Sequence, residues 1–292
     1  LGSAGIASYL ANDEGHGSNV GDGSDSISYN ISPNFGPLLV GTDLVIYLYK
    51  ADGSPLSDGP IAFNTQTRSF TYVDETGYTG VVIARLLDEN DDVPDYLDEA
   101  TLENREAGMN SMLAVTAVTA DTVNVTLAIT PLTHMAATSL GVSFAEDAGV
   151  DSLPEGTDGL NPETVEEANT AVAEAFGISG GNVATDLPVL VIDDQGNTTQ
   201  GDAYGRALGL VSALEAGTGE TFATTLAALG SDIAGNGGLS DALKAAMVSA
   251  SQQVGGVNRE ETAEQLGYTP TSEDLLAKIG TDAGDEETTG YN

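Results

Sequence analysis

The chain has 292 residues, 45 of them Asp or Glu against 8 Lys or Arg, for a formal net charge of −37. A field of that sign repels polyanions, so nucleic acid and anionic membrane surfaces are excluded as partners of the general surface. The length leaves room for about two domains with a substantial core. Hydrophobic residues make up 40% of the chain, yet no apolar run nears the roughly 20 residues that cross a bilayer, so no membrane insertion is expected.

Cysteine is absent, which removes disulfides, thiolate metal sites and cysteine nucleophiles. Trp is absent too and aromatics make up 5%, leaving few platforms on which sugars or bases stack. Residue 1 is Leu and no basic–apolar signal sequence precedes it, so the chain is expected to be a mature or excised fragment. Strong acidity with only Lys50, Lys244 and Lys278 as lysines suits a secreted, calcium-rich or salty setting.

Residues 1–36 read as a leader rich in Gly, Ser, Asp and Asn, with Ile27-Ser28-Tyr29 alternating as the start of a possible added strand. From 37 to 130 the period is two. Strands are predicted at 44–49, 69–73, 81–87, 112–118 and 123–129; in the last, Val123, Val125, Leu127 and Ile129 share one face. Short strands with turn signals between them predict an antiparallel β-sandwich. At Pro131 the period changes, with Thr130 as cap and Pro131 at the first helical position. A second helix is marked by Asn161, Pro162 and a closing Gly177. Further helices are predicted at about 202–216, 219–233, 240–254, 259–266 and 272–279. Residues 187–192 read as a packed connector and 281–292 as an acidic flexible tail. The fold class is therefore α+β, a β-sandwich over 37–130 followed by an all-α domain over 131–280.

The junction Thr126-Leu127-Ala128-Ile129-Thr130-Pro131-Leu132-Thr133-His134-Met135-Ala136 resembles one found in large secreted bacterial surface proteins of adhesin type. There a strand runs into a TPLT motif and an alanine-rich helix. The stretches 167–177 and 204–214 are similar to further pieces of those proteins, and together the likeness covers roughly residues 40–255. It implies a carboxypeptidase-regulatory-like sandwich, immunoglobulin-like or transthyretin-like, ahead of a helical segment. It also implies an extracellular setting. The Gly-rich start and the acidic insertion at 88–108 depart from the pattern.

Those two segments supply the candidate metal ligands. Residues 20–28 match a toxin-repeat nonapeptide except at Val20, which makes Asp22 and Asp25 candidates for calcium. Asp88, Asn90, Asp92 and Glu99 occupy positions 1, 3, 5 and 12 of an EF-hand-like loop, although position 6 is Val93 where Gly belongs. The plain alternatives are a flexible leader and a solvated acidic loop. The run 232–239 reads as a turn between helices. Neither His16 nor His134 has a nucleophile motif beside it.

The leading expectation is a non-enzymatic, calcium-stabilised adhesion or structural module, secreted and at the cell surface. Its partner would be a protein or glycan on another surface, or copies of itself. One alternative is a self-assembling filament or surface-layer subunit that donates its N-terminal strand. A third is an extracellular hydrolase or ligand-binding enzyme.

Overall fold

The computed structural model describes residues 26–269 except 68, 90–91, 108–111, 146–147 and 150. Among them nine strands precede six α-helices, a mixed α+β architecture. The strands are β1 (Ile27–Pro33), β2 (Val45–Lys50), β3 (Ile61–Ala62), β4 (Phe70–Asp74), β5 (Gly80–Leu87), β6 (Tyr96–Leu97), β7 (Asn104–Arg105), β8 (Met112–Val118) and β9 (Asn124–Ile129). They form a sheet in the order β4-β1-β9, a second in the order β3-β2-β5-β8, and the small β6-β7 hairpin. Every pairing is antiparallel except β1 with β9.

The two larger sheets share one core. Ile27, Tyr29, Ile31, Phe70, Leu127 and Ile129 from the first pack with Ile46, Leu48, Val82, Ala84 and Met112 from the second. The central strand of the first sheet is β1, which lies inside the 1–36 segment that composition sets apart. Its Ile27, Tyr29 and Ile31 are apolar at every second position and complete the core. The predicted repeats upstream of it, including Asp22, Asp25 and His16, lie outside the described residues.

The helices are α1 (Pro131–Ser139), α2 (Pro162–Ala175), α3 (Ala203–Thr218), α4 (Phe222–Asn236), α5 (Asp241–Ala250) and α6 (Arg259–Gln265). The helix predicted at 272–279 and the tail 281–292 lie outside the described residues. Two of the helices cover the second sheet: Val81, Ile83, Leu113 and Val115 pack against Ala137 of α1 and Val165 of α2. This explains the near-continuous burial of β5, which has apolar cover on both faces. Arg85 of β5 is fully buried on the helix side. Its guanidinium donates to the carbonyls of Ala148 and Gly149 at 2.9 Å and lies 4.1 Å from the Phe144 ring.

The TPLT junction fixes the helices to the sheets. Thr130 caps α1, and Thr130 and Thr133 bond reciprocally as a capping box. Thr133 Oγ1 also donates to the Leu113 carbonyl at 2.9 Å, and Asn169 of α2 donates to the Val115 carbonyl at 2.9 Å. Two helix side chains thus satisfy edge carbonyls of β8, which would otherwise offer a template for another strand. Thr130 Oγ1 meets the Tyr204 hydroxyl of α3 at 2.8 Å, and that hydroxyl donates on to Val183.

A third core, built from α1 to α6, contains Leu132, Phe176, Val191, Leu208, Leu229 and Met247. The connector 187–192 runs across the start of α3. A Cβ at Gly205 would meet the Val189 carbonyl oxygen at 1.9 Å, so only glycine admits that approach. Gly177, at φ +71°, ends α2 and lies equally close to the backbone of Gln265.

Replacing Thr133 by Val keeps the shape but strands the Thr130 amide and the Leu113 carbonyl. The expected loss is about 2–4 kcal/mol in urea denaturation, and a loss below about 0.5 kcal/mol would refute this role for the junction.

Candidate metal centre

The antiparallel register of β2 and β5 pairs Val45 with Leu87. Asp43, two residues before Val45, and Asp88, one residue after Leu87, therefore sit at the same end of adjacent strands. Asp95 is brought to them by the approach to β6: the Leu39 amide donates to the Asp95 carbonyl and the Asp95 amide to the Arg105 carbonyl, both at 2.8 Å. One oxygen from each of Asp43, Asp88 and Asp95 lies within 4.8 Å of the others.

Asp95 is fully buried, accepting from Thr42 Oγ1 at 2.6 Å and from the Ala107 amide at 2.9 Å. Asp43 is half-buried, and its buried Oδ1 has no hydrogen-bond partner. Burial pushes the Asp95 carboxyl up to about 6, against the pull of Thr42 and Ala107; the charge of Asp88 and a hydrogen bond with it push the same way. Three carboxylates this close repel by at least about 3 kcal/mol per pair at an effective dielectric of 20. A shared proton or a cation relieves that repulsion. An all-oxygen donor set suits a hard divalent ion such as calcium or magnesium.

Among the described residues of the EF-hand-like set, Asp88 is the one that lies at these oxygens. Asp88 joins Asp43 and Asp95; Asp92 is exposed; Asn90 lies outside the described residues; and Glu99 is buried on the far side of the β6-β7 hairpin. Within the described residues the segment bends at Glu89 and Val93, enters β6 at Tyr96 and turns again at 99–101. The EF-hand-like spacing includes Asp88 but neither Asp43 nor Asp95. The available signal was an acid just before one predicted strand and another just after a second, which meet if those strands pair.

Farther along the hairpin, Asp98 is satisfied by protein groups. Its Oδ1 accepts from the Ala100 and Thr101 amides and from the Thr101 hydroxyl, and its Oδ2 accepts from Ser212 of α3 at 2.9 Å. Arg105 lies 3.9 Å from Asp98 and 3.1 Å from Glu215 of α3. This network seats the hairpin on α3.

His134 is mostly enclosed on α1. Burial pushes its imidazole down to about 4, and its Nδ1 has no hydrogen-bond partner. A cavity of about 180 Å³ between α1, α2 and α4 is lined by Met135, Ser139, Val172, Ile233 and small residues, without a carboxylate. Of the run 232–239, residues 232–236 belong to the end of α4, which Gly237 closes at φ +69° before the short link to α5. No described helix is long and apolar enough to cross a membrane. No protein-family model matches this chain, and comparison with curated proteins and with solved structures returns no match.

The raised Asp95 carboxyl has a definite sign in stability. The folded state holds a proton that the unfolded chain releases, so this contribution is full below about pH 4 and is lost as pH rises through about 6. In chelator, the stability contributed by Asp95 should fall by on the order of 2 kcal/mol between pH 4 and 6. Asp88→Asn should make the overall fall in urea midpoint over that range shallower. An identical slope in the variant would contradict the coupling.

Proposed function

We propose that the chain is a non-enzymatic module of a secreted bacterial surface protein, stabilised by calcium bound at Asp43, Asp88 and Asp95. The observation that carries this reading is the convergence of those three carboxylates, with Asp95 fully buried. So few protein ligands leave water to complete the shell of an ion that takes 6–8 oxygens, which suits the weak sites of extracellular modules, with Kd of about 10⁻⁴–10⁻³ M. Secretion fits the same chemistry, because only an extracellular medium keeps such a site filled. In this reading the β part is an immunoglobulin-like sandwich, supported by its two sheets on one core and by the parallel β1–β9 pair. The TPLT junction and its likeness to adhesin-type proteins support an adhesion or structural role. The partner is then a protein or glycan on another surface, or a further copy of the chain.

Calcium at about 100 times its Kd adds roughly 2.7 kcal/mol, or about 5–10 °C in Tm for a body of this size. Differential scanning calorimetry at pH 7 should show that rise between chelator and calcium in the native chain and lose it in Asp43→Asn. No rise in the native chain, or an equal rise in the variant, would sink the proposal.

A further inference from the structure

The turn between β6 and β7 carries Glu99 into the helical half. Its side chain is almost wholly buried, and neither carboxyl oxygen has a hydrogen-bond partner of good geometry, although the Val191 backbone approaches. The notch it enters is made by an absent side chain. A Cβ at Gly209 of α3 would lie 3.7 Å from Glu99 Oε2, 3.1 Å from Val254 Cγ1 and 3.2 Å from Val191 Cγ2. A carboxyl is therefore enclosed by Val191, Val254 and a glycine face, surroundings that solvate no charge.

Among the described residues, no cation is shown paired with it. Asp98 is the charged group that acts on it, and Arg105 of the hairpin is already bonded between Asp98 and Glu215 of α3. The segments 187–192 and 251–257, which pack from the other sides, contain no titratable residue. Burial first, and the charge of Asp98 second, push the Glu99 carboxyl up to about 8. An isolated buried carboxyl of this kind calls for an explanation beyond packing, since Gln or Leu would fill the notch without a titratable charge.

We propose that the β6-β7 hairpin is a pH-responsive clasp, seated on α3 while Glu99 holds its proton and loosened as Glu99 gives it up. The seated form keeps a proton that the released form, with Glu99 in water, loses above about pH 4.5. Seating is thus strongest in acid and weakens with rising pH until the seated carboxyl itself ionises. The clasp does not rest on the calcium reading, because Glu99 enters the notch at Gly209 and is not among the Asp43–Asp88–Asp95 oxygens.

The test is hydrogen exchange of the full chain in chelator from pH 6.5 to 9, corrected for intrinsic rates. The Ala100, Thr101 and Leu102 amides report the hairpin and the β5 amides report the global core. The native hairpin should be less protected than β5 throughout. Its protection should fall about tenfold per pH unit, as one proton requires, and level off near pH 8. Glu99→Gln should give a flat profile, and Glu99→Leu serves the same end if the Gln variant does not fold. A flat native profile would overturn the clasp on its own. So would a Gln variant that falls as steeply, or hairpin amides that exchange only in step with β5.

Discussion

Carboxylates are plentiful in this chain, and burying one is what its structure must work hardest to allow. Four acids are buried among the described residues, Asp74, Asp95, Asp98 and Glu99, and three of them lie within five positions of the same hairpin. A buried charge costs several kcal/mol unless it is paired, hydrogen-bonded or neutralised. Each of the three meets that demand differently. Asp98 is hydrogen-bonded by its own turn and by Ser212, Asp95 by Thr42 and Ala107 beside Asp88, and burial in an apolar notch pushes the Glu99 carboxyl toward its neutral form.

That hairpin links the two halves of the molecule. Its base meets the end of the β2–β5 pair, and its tip rests against α3 and Val254. The TPLT junction forms a second link, where Thr130 and Thr133 tie the start of α1 to β8 and, through Tyr204, to α3. Between them, the second sheet is covered on both faces, and β8 is masked by side-chain donors where a further strand would otherwise pair. Surface charge of this magnitude sets a repulsion that any contact between copies has to overcome.

Local signals in the sequence located most elements. Asn161 and Pro162 announced α2, the alternation from Val123 to Ile129 marked β9, and the cap at Thr130 placed the change from strand to helix. Each is a short-range pattern in which one residue type serves one backbone position. What stayed hidden depends on pairing across the chain. The parallel partnership of β1 with β9 joins segments nearly a hundred residues apart, and two-residue strands such as β6 and β7 have no period to detect. The acidic stretch read as one loop around one ion, whereas its residues face two places: Asp95 toward Asp43 and Asp88, Glu99 toward Gly209. Arg85 gave no sign of burial either, because the Ala148 and Gly149 carbonyls it meets lie more than sixty residues along the chain.

The central claim is that calcium replaces a proton at the Asp43–Asp88–Asp95 oxygens. Metal binding to a protonated carboxylate site releases protons, and titration calorimetry in buffers of different ionisation enthalpy counts them. The account predicts release of about half a proton per calcium at pH 6, falling toward zero by pH 8. Binding with no proton release at pH 6, or no binding heat in any buffer, would contradict it.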